Sequence, residues 1–193
     1  MTKIDELEII YDYNFEFFIL NSDYDREKLQ KFSCGNAEIN YYLQEHAIIN
    51  NSCGNGTTYI VVDITRNTLV AYYTLNTYSL LYKEEDKTCG LPSIEIKIFS
   101  VNKSYQDKTI ICPNGNKVLI SDFLFGSLLG KLYVLSSDVV GFKAIFLYST
   151  LDAVNFYKRN SFCELDKYIA TYDKFAEECI PMYLPLFDLE PLY

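Results

Sequence analysis

Short apolar stretches separated by polar turns run along most of the chain, and they predict a sheet. Strands are expected at residues 16–20, 57–64, 69–80, 94–101, 143–149 and 180–189. In the fourth predicted strand, Ile94, Ile96 and Ile98 point to one face of the sheet, and the residues between them point to the other face. The fifth is continuously apolar, which is typical of a strand buried on both faces. Pro181 and Pro185 in the last strand favour a sheet edge or a bulge.

Helical spacing of apolar residues occupies several segments between these strands. Asp23 is the predicted N-cap of a first short helix, and Asn36 is the predicted N-cap of a second. A long apolar helix opens at Ser121 and ends before Gly141. Thr150 is the predicted N-cap of the last helix.

Two polar segments are predicted loops. Residues 82–92 end in Gly-Leu-Pro, and residues 102–117 contain a Pro-Asn-Gly turn. No linker divides the chain. The order of elements therefore predicts an α/β protein of mixed α+β architecture, in a single domain that spans residues 1–193.

Composition and charge limit the classes of partner. Hydrophobic residues make up 49% of the 193 residues and charged residues 22%, as in a globular protein. The net charge of −9 counts against nucleic acid as a default partner, because proteins that grip phosphates normally present a basic face. Anionic membrane surfaces are disfavoured for the same reason.

Residue types also limit the chemistry and the location. No apolar run reaches membrane-spanning length and the N-terminal segment lacks a basic leader, so a cytoplasmic protein with reduced cysteines is expected. His46 is the only histidine, which excludes a multi-histidine metal site and argues against a Ser–His–Asp or Cys–His catalyst. Its helical spacing places His46 among apolar positions, so it is expected to be buried. No metal is predicted.

Three segments resemble the GNAT superfamily of acetyl-CoA-dependent N-acetyltransferases, in the subgroup that includes toxin–antitoxin acetyltransferases. They read FSCGNAEINYYLQEHA (32–47), LVAYYTL (69–75) and DAVNFYKRNSF (152–162). The last is similar to the family's A-x-x-FY-x-x-x-GF ending, with Tyr157 as its tyrosine. The resemblance covers roughly residues 15–187. It implies a mixed sheet of about six or seven strands, with helices on both faces and a splay between the central strands.

The resemblance implies that acetyl-CoA is the cosubstrate. Its pantetheine arm is expected to pair with the strand at 99–101 like an added strand, where one backbone amide stabilises the oxyanion. Its diphosphate is expected to meet the amides that open the long helix, with lysine charge in place of glycine. The predicted cofactor-binding residues are Phe99, Ser100, Val101, Gln106, Lys108, Lys117, Ser121, Asp122 and Phe123.

Two residues are predicted to be catalytic. By resemblance, Tyr157 is the general acid that protonates the leaving thiolate, whose basicity is similar to that of a phenol. Glu95 lies on the strand that enters the site and is the candidate base for the amine, with a bound water as the alternative.

The chain also departs from the family pattern. The cofactor loop of the family reads Q/R-x-x-G-x-G/A, whereas here Gln106 is followed by Asp-Lys-Thr-Ile, and Ser161 replaces the glycine of the final motif. These departures support an alternative, a GNAT-shaped binding module without turnover. An α/β protein of unrelated function is the third interpretation.

The acceptor and the partners stay open at this stage. A primary amine on a small molecule, on a protein or on aminoacyl-tRNA is expected, and the net charge argues against the tRNA. An antitoxin protein and a second copy of the chain are the partners that the resemblance implies.

Overall fold

A computed structural model describes residues 6–84, 87–165 and 178–186, which form two sheets and several helices. The strands are β1 (Glu8–Ile10), β2 (Phe15–Ile19), β3 (Thr57–Asp63), β4 (Thr68–Glu84), β5 (Lys87–Val101), β6 (Lys108–Ile111), β7 (Lys117–Leu119), β8 (Ala144–Ser149), β9 (Cys163–Glu164) and β10 (Ile180–Pro185). The helices are α1 (Arg26–Lys31), α2 (Ala37–Tyr41), α3 (Ala47–Cys53), α4 (Lys103–Gln106), α5 (Ile120–Asp138) and α6 (Val154–Arg159). The seven-stranded sheet has the order β2-β3-β4-β5-β8-β10-β9, and the small sheet has the order β1-β6-β7. The predicted mixed α+β class is confirmed.

The chain divides into two compact units. The first unit comprises Met1–Thr74 and Ile98–Ser127, and the second comprises Leu75–Lys97 and Leu128–Tyr193. The buried core of the first unit contains Leu20, Leu29, Phe32, Leu43, Ala47, Ile60, Val62, Leu69 and Tyr72. The buried core of the second unit contains Leu80, Leu91, Ala144 and Phe146. A single domain over residues 1–193 stays a prediction.

Side-chain caps start the first two helices. The Asn36 side chain accepts hydrogen bonds from the amides of Glu38 and Ile39, as predicted for the start of α2. The first helix is capped by Asp25, not by Asp23. Asp23 lies two residues earlier in a turn, where its amide donates to the Asn21 side chain, so the predicted cap was displaced by two residues.

A π-helical turn, Tyr42–His46, joins α2 to α3. Leu43 and Ala47 are buried in the core of the first unit, whereas His46 is exposed. The His46 ring packs edge-on against Tyr41, with 5.1 Å between ring centroids. The prediction of a buried His46 is wrong, because the wider turn changes the angular position that regular helical spacing assigns to this residue.

β4 and β5 extend through the segment that was predicted to be a loop. Residues 82–84 belong to β4 and residues 87–92 to β5, so the loop prediction is wrong for the described part of 82–92. Leu80 and Leu91, one on each strand, are buried in the core of the second unit. This packing favours extended backbone although the residues between them are mostly polar.

The other predicted loop, residues 102–117, is largely ordered as secondary structure. It contains the short helix α4 and the antiparallel strands β6 and β7, and β6 also pairs with β1 in parallel. α5 begins at Ile120, directly after β7, with no intervening loop. The loop prediction failed because β1, the strand that completes this small sheet, is about a hundred residues away in the chain.

The last strand, β10, lies between β8 and β9, so the prediction of an edge position is wrong. The Pro181 carbonyl accepts a hydrogen bond from the Leu165 amide, which follows β9 directly. In antiparallel strands, the N–H and C=O of one residue point to the same side, so the N–H that Pro181 lacks would also face β9. β9 has only two residues, so this proline interrupts little pairing. Residues 187–189 of the predicted strand lie outside the described residues.

Candidate active site

β5 and β8 pair in parallel over only three residues of each strand. The pairs are Ser93–Ala144, Ile94–Ile145 and Glu95–Phe146. Within the second unit, β5 continues with Ile96 and Lys97 and β8 continues to Ser149, without further pairing between them. On its other side β8 pairs with β10 over its whole length. Strands that part in this way leave backbone groups with which an extended ligand can pair.

Glu95 occupies the last paired position before the strands part. Its side chain is partly exposed, and its Oε2 accepts a hydrogen bond of 3.3 Å from the Asn76 side-chain amide on β4. This hydrogen bond holds the carboxyl group in one orientation, as a positioned general base requires. The predicted base therefore lies beside the opening between β5 and β8.

Tyr157 lies on α6, in the second unit, and is only 8% exposed. Its ring contacts those of Phe156 and Phe162, with centroids 5.2 and 5.9 Å away. Burial raises the pKa of the Tyr157 hydroxyl above its ordinary value, and the nearby Cys179 contributes in the same direction. The phenol therefore keeps its proton at neutral pH, as a general acid must.

The end of α6 contains a backbone conformation that favours glycine. Ser161 has φ of +69°, and the amides of Asn160 and Phe162 donate to the Tyr157 carbonyl. This is the position at which the family motif has glycine, which adopts left-handed backbone without strain. The predicted cap at the other end, Thr150, precedes a 3-10 turn but makes no side-chain capping bond.

Replacing Ser161 with glycine is expected to raise the free energy of unfolding by about 1 kcal/mol, because left-handed backbone costs a residue with Cβ about that much. Urea denaturation of the purified variant measures the change. The matched control is Ser127→Gly in the middle of α5, which we expect to lower stability by roughly 0.5 kcal/mol. An unchanged or lower stability of Ser161→Gly would contradict the strain at this turn.

The predicted pantetheine residues lie at the end of β5 in the first unit. Ser100 is 5% exposed, and the described residues offer no hydrogen-bond partner to its buried Oγ. A buried hydroxyl without a partner costs about 1–3 kcal/mol. Phe99, on the neighbouring position, packs edge-on against Phe125 of α5 at 4.9 Å between centroids. The unsatisfied hydroxyl is the one feature of this strand end that fits a polar ligand such as the pantetheine arm.

The start of α5 is held by aromatic packing. Phe123, in the first turn, contacts the rings of Tyr13 and Phe15 at 6.1 and 6.2 Å between centroids. Ser121 and Asp122 precede it in the same turn and are partly exposed. The side chain of Phe123 therefore anchors the helix, and only its backbone amide fits the predicted role in phosphate binding.

The polar residues predicted to hold the diphosphate have protein partners in the first unit. Gln106 donates to the carbonyls of Cys34 and Val101, at 2.8 and 2.9 Å. Lys108 forms an ion pair with Glu8 at 3.0 Å, and the Lys117 ammonium donates to the Leu7 carbonyl at 3.0 Å. These contacts brace β1, β5 and β6. They do not fit a preformed lysine cradle, whose ammonium groups would be directed to the ligand.

Sequence reasoning missed a buried charged cluster in the first unit. Asp63, at the end of β3, is fully buried, and its Oδ2 accepts from Arg66 Nη1 at 2.9 Å and from the Tyr105 hydroxyl at 3.2 Å. Burial first, and then the charge of Asp63, raise the pKa of Tyr105 to about 12. In the sequence, an acid and an arginine three residues apart across a turn were only a weak indication of an ion pair. Nothing in the sequence linked Tyr105 to them.

The described residues lack two further kinds of feature. Those residues contain no group of three or more His, Cys, Asp or Glu side chains that could hold a metal ion. Among the described helices, none has both the length and the apolarity to cross a membrane.

Solved structures of bacterial toxins share this fold. The chain is 21% identical to a tyrosine-to-phenylalanine mutant of the toxin AtaT bound to the C-terminus of the antitoxin AtaR and acetyl-CoA, with a TM-score of 0.64 over 89% of this chain and 93% of that one. It is 21% identical to AtaT complexed with acetyl-methionyl-tRNAfMet, with a TM-score of 0.65 over 89% and 95%. A tyrosine-to-phenylalanine mutant of KacT matches at 19% identity and a TM-score of 0.63, over 89% and 95%.

These similarities define the class of fold and not the activity. At 18–22% identity the shared property is the architecture, the mixed sheet with its helices, over nearly the whole chain. No protein-family profile matches the sequence. The neighbours include a toxin solved with acetyl-CoA and one solved with acetyl-methionyl-tRNAfMet, and the membership of this chain in the GNAT superfamily stays a prediction.

Proposed function

We propose that this protein is an acetyl-CoA-dependent N-acetyltransferase of the GNAT type that acts on a primary amine. The observation that carries the proposal is the parting of β5 and β8 after three pairs, beside Glu95. The same fold occurs in a toxin solved with acetyl-CoA, which supports this reading of the opening.

The residues of the second unit supply the proton transfers. Glu95 removes a proton from the ammonium of the acceptor, and the neutral nitrogen attacks the thioester carbonyl carbon. The C–S bond then breaks, the new amide keeps the acetyl group, and Tyr157 donates its phenolic proton to the departing thiolate. Asn76 holds the Glu95 carboxylate in place. The oxyanion donor that the family resemblance implies is a backbone amide at Phe99, Ser100 or Val101.

The proposed partners follow from the same comparison. The AtaT structures include one with the antitoxin AtaR and one with acetyl-methionyl-tRNAfMet, so an antitoxin partner and an aminoacyl-tRNA acceptor are proposals for this chain. The net charge of −9 favours a small-molecule or protein amine over the tRNA. Homodimerisation and a cytoplasmic location are also proposals.

Acetyl-CoA is expected to stabilise the protein against heat. A ligand present at a hundred times its dissociation constant adds about 2.7 kcal/mol, which corresponds to a rise in Tm of roughly 5–10 °C for a chain of this length. Differential scanning fluorimetry at millimolar acetyl-CoA measures the shift. Lys108→Ala and Lys117→Ala are the informative variants, because these lysines were predicted to contact phosphate. Lys31→Ala, which removes an exposed ion pair with Glu27, is the matched control.

The second candidate is a binding module of the same fold without turnover. It is favoured by the partners of Gln106, Lys108 and Lys117, which direct these side chains to the protein. An unchanged Tm with acetyl-CoA and no release of free thiol in the presence of amines would select this module and reject the enzyme. If the acetyl-CoA-induced rise in Tm is unchanged in Lys108→Ala and Lys117→Ala, phosphate binding would be assigned to backbone amides alone.

A further inference from the structure

Part of the sheet in the second unit carries a row of aromatic side chains next to a carboxylate. We name it the tyrosine face, and it consists of Asn76, Tyr78, Glu95, Phe146, Tyr148 and Tyr183. Phe146 is fully buried in the centre of the row. The rings of Tyr78 and Phe146 are stacked at 4.6 Å and 11°, and Tyr148 meets Phe146 edge-on at 4.8 Å.

Strand register and side-chain contacts place these side chains on one side of the sheet. Glu95 pairs with Phe146, and Phe146 pairs with Tyr183, and side chains directly opposite each other on neighbouring strands point to the same face. Tyr148 follows Phe146 by two residues on β8 and therefore lies on that face as well. On β4, the Asn76 amide reaches Glu95, and Tyr78 stacks on Phe146.

The tyrosines of this face are only partly covered by the described residues. Tyr78, Tyr148 and Tyr183 are each of intermediate exposure, as is Glu95. Their rings rest on buried Phe146 and so cannot collapse inward. They present aromatic surface beside a negatively charged group.

Such a surface suits a ligand that combines a protonated amine with a flat ring. A protonated amine is attracted to a carboxylate and to the negative face of an aromatic ring, whereas a flat ring stacks on tyrosine. A polyamine or an aminoglycoside would leave the aromatic surface uncompensated. An acidic acceptor would be repelled by Glu95.

We propose that the tyrosine face selects the acceptor, and that this acceptor is a small primary amine that carries a flat ring. The ring stacks among Tyr78, Tyr148 and Tyr183, and the ammonium meets Glu95. This inference rests on the proposed function in that it gives Glu95 the acceptor nitrogen, which places the nitrogen next to the parting of β5 and β8. The tyrosines set specificity and take no part in proton transfer.

Direct binding without acetyl-CoA tests the proposal. The probes are 2-phenylethylamine, hexylamine as an aliphatic amine of similar length, and 2-phenylethanol as the uncharged ring analogue. Isothermal titration calorimetry or ligand-observed NMR measures each affinity. We expect 2-phenylethylamine to bind about fivefold or more tightly than either of the other two.

Variants then assign the affinity to this face. Tyr148→Leu keeps the apolar bulk but removes the ring, and should weaken 2-phenylethylamine about fivefold and hexylamine little. Glu95→Gln should weaken both amines and leave 2-phenylethanol unchanged. Tyr133→Leu is the matched control, because Tyr133 is an exposed tyrosine of α5 and should alter no affinity. Tyr148→Phe should bind as the wild type does.

The outcomes separate this inference from the proposed function. Hexylamine binding as tightly as 2-phenylethylamine, or a Tyr148→Leu variant that still discriminates between them, overturns the tyrosine face as the acceptor site. Selective amine binding with no acetyl transfer from acetyl-CoA supports the face and rejects the enzyme. Acetyl transfer to amines without preference for a ring supports the enzyme and overturns the selectivity.

Discussion

Replacing Tyr157 with phenylalanine is expected to lower kcat by about a hundredfold or more while leaving the acetyl-CoA-induced rise in Tm intact. The variant keeps the ring that packs against Phe156 and Phe162, and it removes the hydroxyl whose proton the thiolate needs. A positioned general acid contributes about 10²–10⁴-fold to a rate. Release of free CoA in the presence of a saturating amine measures kcat, and fluorimetry measures the shift.

The pH dependence of kcat provides a second readout for Tyr157. Burial raises the pKa of this hydroxyl, so the acid form persists above the pH at which free tyrosine ionises, about 10. If protonated Tyr157 is required, its ionisation should cause no decline of kcat up to about pH 10, because the raised pKa keeps the acid form populated there, and a decline with an ordinary tyrosine pKa would contradict this. Tyr133→Phe, at an exposed position of α5, is the matched control. Equal turnover of Tyr157→Phe and wild type would remove Tyr157 as the acid.

Replacing Asp63 with alanine is expected to lower the free energy of unfolding by about 3 kcal/mol. Asp63 is fully buried, and its removal leaves the Arg66 guanidinium and the Tyr105 hydroxyl without their shared acceptor. Breaking a buried pair by removing one partner costs about 3–5 kcal/mol. The Arg66 side chain is 40% exposed and can regain water, which places the expected cost at the lower end. Urea denaturation measures it, and Tm should fall by roughly 6–12 °C.

An exposed ion pair on α1 offers the matched comparison for Asp63. Glu27 and Lys31 lie one helical turn apart, with side chains 73% and 71% exposed. Glu27→Ala is expected to change stability by less than about 0.5 kcal/mol, because exposed pairs are weak. A similar small loss for Asp63→Ala would mean that the cluster around Asp63 contributes no more than a surface contact.

The sequence pattern correctly predicted the elements that are stabilised by interactions between residues close together in the chain. Asn36 caps α2 because its side chain reaches amides only two and three residues ahead. The continuous apolar text at 143–149 predicted β8, and residues 144–147 are indeed buried there. The segment at 102–117 misled because β6 is completed by the distant strand β1. The segment at 82–92 misled because burial of Leu80 and Leu91 in one core favours extended backbone between them despite the polar residues there.

Some residues of the candidate site could likewise be predicted from local sequence, and the contacts of others could not. Tyr157 and Glu95 were predicted from a motif and from a position on a strand. In contrast, the partners of Gln106, Lys108 and Lys117 depend on residues 5 to about 110 positions away, and the sequence carries no record of such contacts.

The sequence by itself determined the mixed architecture, the Asn36 cap of α2, the buried strand β8 and the residue types available for proton transfer. Each of these follows from periodicity or from interactions within a few residues of the chain. Only the tertiary structure decided that β5 and β8 part after Glu95, that Asp63 is buried with Arg66 and Tyr105, and that tyrosines from β4, β8 and β10 gather around Phe146. Strand register brings these residues together. Register depends on which distant strands pair and at which residues, and an alternating sequence pattern alone does not specify this.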